Sequence, residues 1–127
     1  MSTRFFTPIA AVAVLALGAC GGERASSGTA PAAADLVVRA VDGIAWDAKA
    51  YTATSTDGSI TLYAGNDSTL PHSLQVLDKD GKKVGALVDL SSPGSSKTVE
   101  VALTPGSYRI VCEVAGHTNM NSTLTVS

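Results

Sequence analysis

The sequence has few of the side chains that bind soft metals or carry redox chemistry. It contains 2 cysteines, 2 methionines and 2 histidines among 127 residues. One of each type nevertheless falls in the last part of the chain, as Cys112, His117 and Met120. This concentration has two interpretations: the sulfur and imidazole groups fill space in a core, or they hold a metal ion.

Charge is also scarce, and neither sign dominates. Charged residues make up 16% of the chain, and 9 Lys and Arg stand against 11 Asp and Glu. The basic residues are scattered, whereas nucleic-acid binding requires a clustered basic face. The composition therefore excludes nucleic acid as the expected partner.

Long hydrophobic runs are absent, and the longest apolar stretch, residues 8–19, stands near the amino terminus. It is shorter than the ~20 apolar residues needed to span a bilayer. Behind Arg4, it fits the hydrophobic region of a secretory signal. It closes with Leu17-Gly18-Ala19-Cys20, which resembles the lipobox of bacterial lipoproteins. The resemblance implies cleavage before Cys20 and lipid on its sulfur; an ordinary cleaved signal with an incidental Cys20 is the alternative.

Export changes the interpretation of the two cysteines. An exported chain with two cysteines commonly forms a disulfide. A lipid on Cys20 would prevent that pairing and leave Cys112 as the only thiol of the folded domain. A lone thiol outside the cytoplasm is open to oxidation, and a bound metal would protect it.

The chain divides into three predicted regions. Residues 1–19 are the signal peptide, and residues 20–34 are the lipidated cysteine followed by a flexible linker of small residues. Such a linker cannot bury enough apolar surface to fold. Residues 35–127 form a single domain. We expect the mature protein on the periplasmic or cell-surface face of a membrane.

The pattern of the domain predicts an all-β fold. Apolar and polar residues alternate with a period of two, and turn residues recur every eight to twelve positions, as in a sandwich or barrel. The segment 43–56, which contains Trp46 and Tyr51, has no clear pattern, and Trp46 is expected in the core or covering an edge. Strands are predicted at 36–41, 59–64, 73–78, 98–103, 107–112 and 122–126.

Four potential metal ligands lie at predicted strand ends. Cys112 ends one strand, His117 and Met120 follow before the last strand, and His72 immediately precedes another. Two histidines and a cysteine with a weak axial methionine are the ligand set of a blue-copper site. Calcium and magnesium prefer oxygen ligands, and structural zinc sites usually close with another Cys or His.

Simpler interpretations exist for each residue taken alone. A methionine near a loop is usually packing, and His72 alone would be an ordinary surface histidine. Cys112 and His117 could also be a nucleophile and its base, but no nearby acid or oxyanion donor is evident. The order and placement of all four residues favour the metal site.

The domain resembles a small cupredoxin of the plastocyanin and azurin type. The likeness rests on residues 66–72 before the first ligand, on residues 104–108 leading into the cysteine strand, and on residues 112–120. It implies a Greek-key sandwich or barrel of about seven to eight strands. It also implies a single type 1 copper, with Ser73 hydrogen-bonding across to the cysteine loop. The implied ligands are His72, Cys112, His117 and Met120.

The sequence departs from the family at two points of the ligand loop. Ala115 stands where a proline often precedes Gly-His, and only Thr118 and Asn119 separate His117 from Met120. The short second gap bears on the axial bond to the methionine more than on the other ligands.

The predicted function is one-electron transfer, because four protein ligands leave no open position for a substrate. His117 would be the port for electrons, surrounded by an apolar patch that contacts redox donor and acceptor proteins. The chain is expected to be a monomer and not an enzyme. Copper storage, delivery or sensing without electron transfer is the alternative, and a sandwich with a degenerate site is a second one.

Overall fold

A computed structural model describes residues 25–127 of the protein. The predicted signal peptide, the lipobox and Cys20 lie outside the described residues. The described chain is built from strands, which confirms the all-β prediction. Their bounds are β1 Leu36–Val41, β2 Ala45–Trp46, β3 Ala50–Ala53, β4 Ser59–Asn66, β5 His72–Leu77, β6 Lys83–Leu90, β7 Ser96–Ala102, β8 Gly106–Val111 and β9 Asn121–Val126.

The strands form two sheets that pack face to face. The first sheet has the order β2-β1-β4-β7, and the second has the order β3-β9-β8-β5-β6. Two pairs, β1 with β4 and β3 with β9, are parallel, and the others are antiparallel. Within residues 25–127 no helix is long and apolar enough to cross a membrane.

Inward-facing side chains of both sheets form one core. On β1 burial alternates along the strand, as the period-two pattern predicts. Trp46 is 4% exposed and belongs to the core. Its indole Nε1 donates a hydrogen bond of 3.2 Å to the carbonyl of Ile110, which joins the two sheets. The most deeply buried apolar side chains include Val38, Leu62, Leu74, Leu90, Leu103, Ile110 and Leu124.

Three strands were not predicted from the sequence. The short β2 and β3 come from the unpatterned segment 43–56, and β6 covers the edge of the second sheet at Lys83–Leu90. Because β6 is an edge strand, most of its side chains are exposed and its apolar residues do not alternate cleanly. Residues 25–127 therefore form nine strands, where the resemblance implied about seven to eight.

The topology brings the ligand-bearing segments to one end of the sandwich. β5 begins at His72, and β8 runs antiparallel to it and ends at Val111, directly before Cys112. β9 begins at Asn121, directly after Met120. The loops 67–71 and 112–120 therefore share this end, which we call the site end.

Residues 25–34, the described part of the predicted linker, contain no strand, but they contact the folded domain. Ser27 is 6% exposed and hydrogen-bonds to Asp67, just beyond the end of β4. Small polar residues predict a flexible linker because they bury little apolar surface. Here, hydrogen bonds between Ser27 and charged side chains fix the segment on the domain. Such bonds cannot be predicted from the pattern of apolar residues.

Candidate metal centre

Three of the predicted ligands meet at the site end. The potential ligand atoms of His72, Cys112 and His117 all lie within 4.8 Å of one another. The three side chains are 1%, 8% and 8% exposed, respectively. Residues separated by forty positions in the chain thus form one buried group of two imidazoles and a thiol.

The loop after β8 turns twice to bring its side chains back towards the sheet. The main-chain N–H of His117 donates to the carbonyl of Val114 at 3.0 Å, and that of Met120 donates to the carbonyl of His117 at 3.0 Å. The N–H of Cys112 donates to the carbonyl of Met120 at 3.2 Å and closes the loop. Gly116 has φ of 85°, a value that glycine adopts without steric cost.

The separations between the donor atoms match those around a single ion. The Nδ1 atoms of His72 and His117 are 3.2 Å apart, and Sγ of Cys112 is 3.7 Å from Nδ1 of His117. With metal bonds of about 2.0 Å to nitrogen and about 2.3 Å to sulfur, ligand angles of about 100° to 120° reproduce both separations. The separations from Nδ1 of His117 to the other two donor atoms therefore fit a single metal ion.

The environment of His72 favours its neutral imidazole. Burial lowers the pKa of His72 below its ordinary value, and the nearby charge of His117 lowers it further. Both causes disfavour the protonated ring. A neutral imidazole has one nitrogen lone pair available, and a metal needs that lone pair.

The thiol of Cys112 receives hydrogen bonds from the neighbouring strand. The main-chain N–H of Ser73 donates to Sγ at 3.4 Å, and Oγ of Ser73 lies 3.9 Å from the same atom. The N–H of Glu113 donates to Oγ of Ser73 at 3.0 Å, which ties the serine to the cysteine loop. These contacts hold the sulfur of Cys112 against the beginning of β5.

Ser68 and Asn66 form hydrogen bonds on the Nε2 side of His72, and the sequence did not predict this role for them. Oγ of Ser68 lies 2.7 Å from Nε2 of His72, and Ser68 itself is held by Oδ1 of Asn66. Asn66 donates both protons of its side-chain amide, to the carbonyls of Leu70 and Leu90 at 2.8 and 2.7 Å. The stretch Asn66-Asp67-Ser68 resembles an ordinary polar turn in sequence, and only the fold shows which groups it contacts.

We assign the proton of the neutral His72 ring to Nε2, because this tautomer leaves Nδ1 free for a metal and lets Nε2–H donate to Ser68. The Ser68 hydroxyl has two other acceptors within reach, Oδ1 of Asn66 and the carbonyl of Leu70, and it accepts the N–H of Leu70 at 3.1 Å. Its second lone pair is then satisfied by a proton on Nε2 of His72. Nδ1 of His72 consequently carries the free lone pair, and Nδ1 is the atom that faces His117.

Met120 lies beside the three clustered residues. It is fully buried in the core together with Cys112, and its main chain hydrogen-bonds to both Cys112 and His117. The short gap of two residues after His117 therefore does not carry Met120 away from the group. Its role as an axial ligand stays a prediction.

The geometry speaks against the nucleophile and base interpretation. Sγ of Cys112 lies 3.7 Å from Nδ1 of His117, a distance that a hydrogen bond to sulfur allows, but the pair is enclosed. Both side chains are buried, so a substrate has no direct access to the sulfur. The arrangement is suited to holding an ion away from water.

Comparison with solved structures identifies the fold. Auracyanin from the photosynthetic bacterium Roseiflexus castenholzii, in its dithionite-reduced form, matches with a TM-score of 0.61 at 21% identity, covering 72% of this chain and 95% of that one. An azurin from the methylotroph Methylomonas sp. strain J matches with a TM-score of 0.58 at 15% identity, covering 72% and 95%. Auracyanin B matches with a TM-score of 0.59 at 19% identity, covering 84% and 96%.

These similarities confirm the predicted cupredoxin-like β-sandwich. Auracyanin and azurin share its overall arrangement over nearly their whole length, although few residues are identical. No protein-family model and no curated protein sequence matches the chain.

Proposed function

We propose that the protein is a type 1 blue-copper electron carrier, with His72, Cys112, His117 and Met120 as the ligands of one copper ion. The observation that carries the proposal is the buried group of two imidazoles and a thiol, at ligand-like separations, in a fold shared with auracyanin and azurin. When bound, copper supplies a one-electron couple between Cu(I) and Cu(II).

The donor set favours copper over other common metals. Thiolate and thioether are soft ligands that select copper, whereas calcium and magnesium take oxygen. Zinc is compatible with two histidines and a cysteine, but a structural zinc site would close with a fourth Cys or His. We propose Met120 as the fourth ligand, and thioether is a weak ligand for zinc.

The fold supports electron transfer by keeping the ligands in place. His72 begins β5 and is held by Ser68, while the loop that carries His117 is closed by main-chain hydrogen bonds. Ligands fixed in this way move little when the charge of a bound ion changes. Burial excludes water, so no open position is left for a substrate, and we propose a carrier rather than an enzyme.

The surface at the site end supports contact with redox proteins. Leu70 is 41% exposed, although most large apolar side chains of the described chain are covered. Pro71, Ala115 and Gly116 are exposed in the two site-end loops. Redox partners dock transiently through small interfaces, and a small apolar surface next to His117 suits that role.

We further propose that lipid on Cys20 anchors the carrier to the outer face of a membrane. The support is the sequence Leu17-Gly18-Ala19-Cys20 behind a charged and then apolar amino terminus. An anchored carrier would pass single electrons between a redox donor and an acceptor at that membrane.

Addition of Cu(II) to the purified apoprotein tests the copper site. We expect one equivalent to bind and to give the intense blue thiolate-to-copper absorption. The variant Cys112→Ser should remove the colour, while Ser107→Ala on the exposed part of β8 should leave it unchanged. Stoichiometric binding without colour would instead indicate copper storage or delivery, and absence of binding would refute both functions.

A further inference from the structure

The amino-terminal segment of the described chain is docked on the outer face of the first sheet. Both the main-chain N–H and the hydroxyl of Ser27 donate to Oδ1 of Asp67 at 2.6 Å. Oγ of Ser27 accepts a bond of 2.6 Å from Nη1 of Arg39, and its carbonyl accepts the hydroxyl proton of Tyr63. Every polar group of Ser27 is therefore bonded to the body of the domain.

Gly65 leaves a space on the outer face of β4 that the side chain of Ser27 fills. A Cβ atom on Gly65 would lie 2.0 Å from Oγ of Ser27 and 2.5 Å from its Cβ, so only glycine leaves room for the serine. The φ angle of Gly65 is not positive, and its backbone would accept other residues. Tyr63, on the outer side of β4, is covered, with the Arg39 guanidinium 5.2 Å from its ring centre.

This docking site lies at the site end of the sandwich. A Cβ atom on Gly94 would lie 3.3 Å from the carbonyl oxygen of Ser26, and the N–H of Gly94 donates to the carbonyl of Asn66. Ala25 borders a surface depression together with Asp42, just beyond the end of β1. From Ser27 the chain runs back along the sheet, to enter β1 at the opposite end.

We propose that the docked segment 25–28 turns the site end of the domain towards the membrane. The proposal rests on the lipid anchor at Cys20 that is part of the proposed function. Seven residue spacings separate Cys20 from Ser27, and an extended chain of that length reaches about 25 Å. A linker free up to Leu36 would reach about 55 Å and would leave the opposite end of the sandwich nearest the anchor.

The orientation determines which partner the carrier meets. With Ser27 docked, the tether holds the site end to within about 25 Å of the anchor, closer than it holds the opposite end. A redox protein embedded in the same membrane is then the partner that can reach His117. A partner diffusing in the aqueous phase would require the site end to turn outwards, which the docked segment opposes.

Hydrogen exchange tests the docking itself, with neither copper nor lipid required. We expect the amide of Ser27 to be protected in the apoprotein. Gly65→Ala should displace Ser27 by steric overlap, and Ser27→Asp should displace it by repulsion from Asp67; each should reduce the protection at least about tenfold. Thr61→Ala, on the same strand and face as Gly65, is the control. An unprotected Ser27 amide in the unaltered chain would overturn the proposal.

Paramagnetic relaxation tests the orientation. The apoprotein beginning at Cys20 is coupled through that thiol to a maleimide lipid in nanodiscs that contain a gadolinium headgroup lipid. We expect stronger broadening of amides at the site end, such as Thr69 and Thr118, than at the opposite end, such as Asp57 and Thr104. Ser27→Asp should remove the difference. Equal broadening in the unaltered chain, or stronger broadening at the opposite end, would refute the orientation whether or not the domain binds copper.

Discussion

Oγ of Ser68 lies 2.7 Å from Nε2 of His72 and faces it from the side away from His117. The serine is fully buried and is itself held by Asn66. Its hydroxyl oxygen is placed to accept a proton from Nε2, the tautomer that leaves Nδ1 free for a metal. The first ligand is thus oriented by a side chain four positions before it in the same loop.

Ser68→Ala should weaken copper binding without unfolding the domain. The variant removes the acceptor for Nε2–H, so His72 can rotate or change its tautomer, and loss of such support typically costs 10–100-fold in metal affinity. The measurement is a competitive Cu(II) titration against a chelator of known affinity. Thr69→Ala, at an exposed position of the same loop, is the matched control. Unchanged affinity in Ser68→Ala would contradict the assigned tautomer.

Met120→Gln should keep the domain coloured and lower its reduction potential. The thiolate of Cys112 produces the colour, whereas the axial ligand tunes the potential. A harder amide oxygen stabilises Cu(II) relative to Cu(I). Visible absorption and a spectroelectrochemical titration measure the two effects separately. If the potential stays the same, Met120 is packing and the axial ligand lies elsewhere.

The sequence predicted the strands that carry the core and the site. β1 and β9 alternate between a buried and an outer face. The predicted bounds of β1, β5, β8 and β9 differ from the observed ones by one residue or less. The edge strand β6 was missed because most of its side chains are exposed, and β2 and β3 were missed because they have only two and four residues.

The supporting contacts of the site were less predictable than the ligands. Cys, His and Met are rare in this chain and therefore stand out. Ser68 and Asn66 belong to residue types that are common in turns, and their role depends on a distance that only the folded loop sets. Ser27 was missed for the same reason, since its partners Arg39 and Asp67 lie far away in sequence.

Asn66→Ala should destabilise the whole domain. Asn66 is fully buried, and its amide satisfies the carbonyls of Leu70 and Leu90. Removing the donor to the buried carbonyl of Leu90, and one of the donors to the carbonyl of Leu70, should lower the free energy of unfolding by about 2 kcal/mol. Urea denaturation of the apoprotein measures the loss. Asn119→Ala, in an exposed position of the ligand loop, should cost less. An equal loss in the two variants would contradict the structural role of Asn66.

Asp67 should make the stability of the domain depend on pH in the acid range. Burial alone would raise the pKa of Asp67, but the hydrogen bonds from Ser27 and the charge of Arg39 outweigh it and lower the pKa below its ordinary value of 3.8. A carboxyl group with a lowered pKa stabilises the folded state above its unfolded pKa, and this contribution is lost as the pH falls through the folded pKa.

The difference in unfolding free energy between the unaltered chain and Asp67→Asn should therefore be largest near neutral pH and should shrink below about pH 4. Urea denaturation at a series of pH values measures it. Glu100→Gln, on the exposed side of β7, is the control and should show a smaller difference across the series. A difference for Asp67→Asn that grows as the pH falls would mean that the carboxylate is not stabilised by Ser27 and Arg39. Asp67 and Arg39 hold the amino-terminal segment through Ser27. Exchange protection of the Ser27 amide should therefore decrease over the same pH range.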